Sequence, residues 1–212
     1  MRLLNAATLH LGVKELAARD ADLGAIVARF GSSPLWARRP DFATLVRIIL
    51  EQQVSLAAAK TMYERLRHAI GAMEPQALST LGIAGMRALG FTGQKSSYCL
   101  GLADAIQSGT LDLPAVARAD DRVGREMLLK LRGLGPWSVD VYYLIALRRP
   151  DVWPHGDLAL ADAVHRVKRL RARPDYARLT KFAERWAPWR SVAARMLWHH
   201  YLSVRTLASR GA

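Results

Sequence analysis

Leu129-Lys130-Leu131-Arg132-Gly133-Leu134-Gly135-Pro136-Trp137-Ser138-Val139 is the stretch on which the reading of this chain turns. A helix ends, Gly133 and Gly135 bracket a tight turn, and Pro136 opens the next helix at its favoured first position. Glycines let the backbone approach a ligand closely. The N–H groups at a helix start have no intrahelical partner and favour a phosphate. The same pattern also suits an ordinary connection between two helices, so the flanking sequence has to decide.

Outward from the hairpin, almost every segment reads as helix. Ala59, Met62, Tyr63, Leu66 and Ile70 recur at helical spacing, and Val116 to Leu131, Pro136 to Leu147, Leu158 to Leu170 and Lys181 to Leu202 carry similar patterns. The last of these reads as one or two helices. No alternating run with a two-residue turn marks a hairpin of strands. Punctuation falls at Gly31–Pro34, Gly71–Pro75, Gly90–Gly93, Gly133–Pro136 and Pro150–Gly156. The expectation is an all-α protein of roughly ten short helices.

The 212 residues suffice for one large domain or two small lobes, and the 51% hydrophobic content is that of a folded chain. No apolar run approaches the length of a membrane span. The start, Met1-Arg2-Leu3-Leu4-Asn5, lacks the apolar region and cleavage site of a secretion signal, so a cytoplasmic protein is expected. The lone Cys99 excludes an internal disulfide and a four-cysteine zinc or iron–sulfur site. The net charge of +13 attracts polyanions, nucleic acid being the usual one. Arg supplies 25 of the 31 basic residues, so genome composition is a second source of that charge.

Beyond the hairpin comes Trp153-Pro154-His155-Gly156-Asp157-Leu158-Ala159-Leu160. Asp157 precedes an apolar helical run and is a natural N-cap. A carboxylate there is stabilised by the helix N–H groups and dipole. A fixed anion in such a place can also stabilise positive charge that develops on a bound substrate and orient a water. Capping and catalysis are compatible roles for Asp157.

With these residues in view, Leu131-Arg132-Gly133-Leu134-Gly135 resembles the hairpin of the helix-hairpin-helix DNA glycosylase superfamily. The resemblance implies that Arg132, Gly133, Leu134, Gly135, Trp137 and Ser138 hold a DNA backbone phosphate. It also implies that the carbonyls of Leu129, Leu131 and Leu134 can hold a sodium or potassium ion once DNA is bound, with no other cofactor required. Asp157 matches the catalytic Asp of that family. Glycoside hydrolysis ordinarily uses two carboxylates, and no second one stands in the motif. A purine alkylated at N3 or N7 already carries positive charge and leaves without a proton, so a lone Asp suits alkylated bases.

Within the family, the chain is most similar to bacterial 3-methyladenine DNA glycosylase II enzymes. The similarity is carried by Glu51-Gln52-Gln53-Val54-Ser55, by Leu89-Gly90-Phe91 with Gln94-Lys95, by the hairpin through Asp157, and by Phe182 to Ser191 with Trp198. Bifunctional members have a nucleophilic lysine where Trp137 stands, so the resemblance implies a monofunctional enzyme. It places Gln53, with Gln52 before it, as the plug inserted when a base is flipped out; an exposed polar turn is the plain alternative. Trp137 and Trp198 match pocket tryptophans, whose faces attract a cationic base. The family's pocket tyrosine falls at Val141, which leaves Tyr142 as the nearby candidate. Lys95 suits a phosphate contact or a solvated turn, Arg190 an ion pair or a DNA contact, and His155 a solvated loop or an influence on Asp157. Trp186 and Trp189 are expected in the core.

The implied architecture is two helical lobes with the active-site cleft between them: residues 41–149 as the middle lobe with the hairpin, residues 1–40 and 150–212 as the other. The family's N-terminal β domain has no counterpart in the 40 residues before the match, which read as helix. The expected protein is a monomer acting on damaged double-stranded DNA at the nucleoid. Its substrates would be 3-methyladenine, 7-methylguanine, etheno adducts or methylated pyrimidines. A non-enzymatic helical DNA-binding protein, a bifunctional glycosylase/lyase and a helix-turn-helix regulator are the rival readings.

Overall fold

Short polar side chains start the helices of this protein. Asn5 accepts the Thr8 N–H at 2.9 Å while Thr8 Oγ1 accepts the Asn5 N–H at 2.8 Å, a reciprocal box that opens the first helix. Asp20, Asp41, Ser55, Thr92, Asp112, Asp120 and Asp175 cap later helices in the same manner. The computed structural model describes residues 3–210. In chain order these form α1 (Ala6–Arg19), α2 (Ala21–Phe30), α3 (Phe42–Glu51), α4 (Leu56–Ile70), α5 (Pro75–Ala88), α6 (Gly93–Gln107), α7 (Leu113–Arg118), α8 (Asp121–Leu129), α9 (Pro136–Ile145), α10 (Leu158–Val167), α11 (Tyr176–Glu184) and α12 (Arg190–Arg210). Among the described residues there is no strand, and the protein is all-α. None of their helices is long and apolar enough to cross a membrane.

The stretch Val116–Leu131, a helical pattern that holds the turn-prone pair Asp120-Asp121, divides at that pair into α7 and α8. Asp120 ends the run because its side chain accepts the Arg122 N–H at 2.9 Å and starts α8 afresh. Residues 181–202 likewise divide between α11 and α12 around Pro188.

Packing contacts group the chain into two units. One joins the residues up to Ala37 with those from Tyr143 onward; the other is the continuous segment Arg38–Tyr142. The second division falls inside α9, ahead of the 149/150 boundary expected from sequence. The end of α9 is held by the terminal unit: the Arg195 guanidinium donates to Leu144 O at 2.8 Å.

In the terminal unit α12 is the spine, packed by α1, α2 and α10. Leu9, Val13 and Leu16 of α1, Leu23 and Ile26 of α2, Leu160 and Val164 of α10 and Val192 to Leu197 of α12 are buried. Gly12 lets α1 close on Trp189, whose ring lies 3.0 Å from where a Cβ would stand. Arg195 is fully buried and donates to Leu35 O, Ser191 O and Leu144 O at 2.8–3.1 Å. Burial pulls its pKa down to about 10. In the middle unit α3 packs on α4 and α6, and α5 on α6, over Leu45, Ile48, Ile49, Leu66, Leu78, Met86 and Leu102.

Candidate active site

The hairpin lies in the middle unit. Lys130 caps α8, Leu131 N–H returns to Leu128 O at 3.1 Å, and Leu134 N–H returns to Leu131 O at 3.1 Å. Pro136 then opens α9 with Val139 N–H on Gly135 O at 3.1 Å. Gly133 has φ +100, and a Cβ there would stand 2.7 Å from the Tyr98 Cβ of α6. The turn thus requires glycine twice over, for its dihedral and for its closeness to Tyr98. Arg132 and Gly135 are exposed, Trp137 is half-buried, and the Leu134 side chain points into the core.

Ser138, expected at the DNA backbone, is 2% exposed. Its hydroxyl takes a hydrogen bond from Gln52 Nε2 at 2.8 Å, and the same nitrogen donates to Gly133 O at 2.8 Å. The hydroxyl is therefore turned inward, and what Ser138 can offer a phosphate is its backbone N–H. Gln52, expected beside the wedge, spends its amide on the hairpin. Gln53, the next residue, is exposed and has φ +56, a conformation L residues adopt only when their surroundings impose it. Its neighbours are each tied down. Gln52 is tied to the hairpin, Glu51 is bonded by Arg38 at 2.7 Å, and Lys95 Nζ donates to Leu50 O at 2.6 Å. Lys95 is therefore neither a solvated turn residue nor an outward phosphate contact. It neutralises the C-terminal end of α3, and burial lowers its pKa, the neighbouring Cys99 partly opposing. Val54 and Leu56, which follow Gln53, are exposed apolar residues. Tyr142, a candidate stacking surface, is 0% exposed, its ring enclosed by the protein.

Asp157 lies in the terminal unit and is 7% exposed. Its Oδ1 accepts the Leu160 N–H at 2.8 Å, capping α10, and the Trp198 indole N–H at 3.3 Å. The loop before it is laced to the start of α12. Arg190 clasps Asp151 through Nε and Nη2, both at 2.8 Å, and its N–H reaches the same carboxylate at 3.1 Å. Ser191 Oγ accepts the Val152 N–H at 2.9 Å and donates to Val152 O at 3.2 Å. Arg190 is thus a structural ion pair, and Asp151 with the neighbouring Glu184 holds its pKa above the ordinary value against burial. Trp153 packs on Trp186 at 5.4 Å between ring centroids. Trp186 is buried as expected; Trp189 is only partly so, its indole N–H on Glu15 at 2.6 Å. His155 lies 4.0 Å from the Tyr176 ring, both exposed, and Leu158, next to the carboxylate, is 69% exposed.

Chemically, the terminal unit offers a carboxylate held between a helix N-terminus and an indole, on a loop tied at Asp151 and Val152 to the start of α12. The middle unit offers a glycine turn opening a helix, with an exposed, constrained glutamine braced against it. The structure brings Asp157 to Trp198 and Gln52 to Gly133 and Ser138. Sequence reasoning missed the Gln52 and Lys95 bonds and the buried Arg195. Lys95 and Arg195 bind backbone carbonyls, which leave no mark in a residue pattern.

A family model for the HhH-GPD superfamily base excision DNA repair protein matches residues 46–188. YfjP of Bacillus subtilis is 29% identical over 83% of this chain, and the match spans 64% of that protein. DNA-3-methyladenine glycosylase 2 of Escherichia coli is 29% identical over 73% of this chain and 55% of itself. The chain therefore spans under two thirds of the length of both relatives. Among solved structures, the 3-methyladenine DNA glycosylase Mag1 of Schizosaccharomyces pombe, in complex with abasic DNA, superposes with a TM-score of 0.80 at 26% identity, covering 88% of this chain and 94% of that one.

Proposed function

This chain belongs to the HhH-GPD superfamily of base excision DNA repair proteins, and from that premise we propose that it is a monofunctional glycosylase releasing alkylated bases from duplex DNA. The observation that carries the reading is Asp157: a nearly buried carboxylate held by the Leu160 N–H and the Trp198 indole. As the bond from the sugar C1′ to the base nitrogen breaks, its electron pair leaves with the base and positive charge gathers on the sugar. Asp157 stabilises that charge and directs a water to C1′, whose proton passes to the carboxylate or to solvent. A base alkylated at a ring nitrogen is already cationic, so the electron pair neutralises it and no acid is needed. The 3-methyladenine and 7-methylguanine class follows from that chemistry, with etheno and methylated-pyrimidine adducts as further candidates.

Each unit has its share of the task in this proposal. The hairpin from Arg132 to Ser138 grips one phosphate through backbone N–H groups, and Gln53 fills the space a flipped base leaves. Trp198, touching Asp157, supplies an electron-rich face for the cationic base, and Trp137 is a half-buried indole of the middle unit able to do the same. With Trp137 where a lyase lysine would stand, the product is an abasic site. The backbone carbonyls of Leu129, Leu131 and Leu134, neutral oxygen donors, would hold a sodium or potassium ion once DNA is bound. Such an ion would bridge hairpin and phosphate without entering the chemistry. The protein would act as a monomer at the nucleoid.

The test is base release from methylated duplex, wild type against Asp157→Asn, with and without hot alkali. Asn caps a helix as well as Asp does, so the variant folds and binds DNA while the rate of release falls about 10²–10³-fold. Strand breaks should appear only after alkali. Equal release by both proteins would remove Asp157 from the chemistry; breaks without alkali would make the enzyme a lyase; no release by either would leave a DNA-binding protein.

A further inference from the structure

We infer that Gln52 is a positioning residue that makes the hairpin and the wedge turn one mechanical unit, so that seating a phosphate and setting Gln53 are a single event; this rests on the DNA-binding reading of both. The Gln52 amide nitrogen has two protons and both are accounted for: one on Gly133 O in the turn, one on Ser138 Oγ in the first turn of α9, each at 2.8 Å. The orientation of the amide is dictated, because a backbone carbonyl only accepts. Gln52 thus staples the hairpin on both sides of Gly135-Pro136.

Its backbone belongs to the other device. Gln52 ends α3 at φ −62 and ψ 126, its N–H reaching Ile49 O at 3.3 Å, and Gln53 follows at φ +56. That left-handed residue is exposed and has no glycine to ease it, so its conformation is held by what flanks it. On the N-terminal side the holders are the Gln52 amide, Glu51 with Arg38, and Lys95 on Leu50 O. Only the first of these reaches the hairpin. Tyr98 also packs on the hairpin: its ring lies against Gly133 and its hydroxyl is bonded by Gln94 at 2.7 Å. A phosphate pulling on the turn is therefore resisted by Tyr98 and, through Gln52, by the wedge.

The experiment measures Kd for a duplex carrying a tetrahydrofuran abasic analogue, which needs no catalysis to be read. Gln52→Leu keeps the bulk and loses both bonds; Gln52→Glu keeps the shape but cannot donate to Gly133 O while ionised. Both should bind about tenfold more weakly, since two hydrogen bonds are lost. For Gln52→Glu the deficit relative to wild type should shrink from pH 8 to pH 6, as the partly buried carboxyl gains a proton it can donate. Ser138→Ala, which spares the Gly133 bond, should weaken binding about threefold and add less than that in the Gln52→Leu background. It serves as the variant to read if the Gln52 substitutions fail to fold. A purely structural residue would lower Tm and leave Kd unchanged. Wild-type Kd in a folded Gln52→Leu protein overturns the coupling, as do strictly additive losses with Ser138→Ala. Weakened binding in the variant, with no base release by wild type, would sink the glycosylase reading and leave the coupling standing.

Discussion

Gly133 meets two separate demands, and each can be broken alone. At φ +100 an L side chain is strained, and the space a methyl would take is filled by the root of the Tyr98 side chain, which cannot swing aside as a side-chain tip can. Gly133→Ala should therefore lose roughly 2–4 kcal/mol of stability, strain and overpacking together, seen as a lowered midpoint in urea. Gly133→Ala combined with Tyr98→Ala should recover the steric part and keep the dihedral part. An unchanged midpoint in the single variant would show that the turn closes another way. The sequence announced this glycine by its place before Gly-Pro, and Asp157 by its place before an apolar helix. It did not announce Tyr98, because a ring packed against a backbone thirty-odd residues away obeys no local period. Ser138 and Gln52 carry the same lesson: their polarity is legible, but whether it faces DNA or another part of the protein depends on which segment folds over them.

At the level of elements, α1, α2 and α10 are knit at one carboxylate. Asp20 ends α1 and caps α2 through the Asp22 and Leu23 N–H groups, while Lys168, just past α10, donates to both its oxygens at 2.6 and 2.7 Å and Trp186 adds an indole bond at 2.9 Å. Burial acts to raise the Asp20 pKa, but the bonds from Lys168 and Trp186 and the Lys168 charge outweigh it and hold the pKa below 3.8. A carboxylate with a depressed folded-state pKa stabilises the fold fully above its unfolded value, near pH 4, and the contribution is withdrawn as pH falls through the folded value. Asp20→Asn keeps a good cap and loses the ion pair. It should cost roughly 1–3 kcal/mol at pH 7, and the gap from wild type should close as pH drops below about 4. A gap that stays constant down to pH 2 would show that the loss is one of packing. Element positions were largely readable, since each glycine and proline cluster lies in a connection. Element ends were less so. The break at Asp120 depends on a capping bond that competes with a continuous apolar pattern, and the kink in α5 at Gly82 (φ +64) sits inside a run whose composition is helical throughout.

For the molecule as a whole, the charge of +13 predicts how it meets DNA. Affinity for an undamaged duplex should fall roughly 10²-fold between 50 and 200 mM salt, the slope of about four neutralised phosphates, measured by fluorescence anisotropy. A slope near zero would mean that the arginines are spread by composition and not gathered on a DNA-facing surface. All-helical character was evident from periodicity throughout the chain. The return of the chain into its first unit was not, because nothing in α1 or α2 says that α12 is their partner; that expectation came from resemblance alone. The return has a consequence for biosynthesis. As the chain leaves the ribosome, α1 and α2 emerge well before α12, on which they pack, so Leu9, Leu16, Leu23 and Ile26 wait for that cover. At about 5–20 residues per second, that wait lasts on the order of ten to forty seconds. During it the segment Arg38–Tyr142 is free to fold as a finished body. The α1–α2 segment is thus the part of the chain most in need of a chaperone, and the hairpin emerges ahead of the carboxylate that the proposed reaction uses.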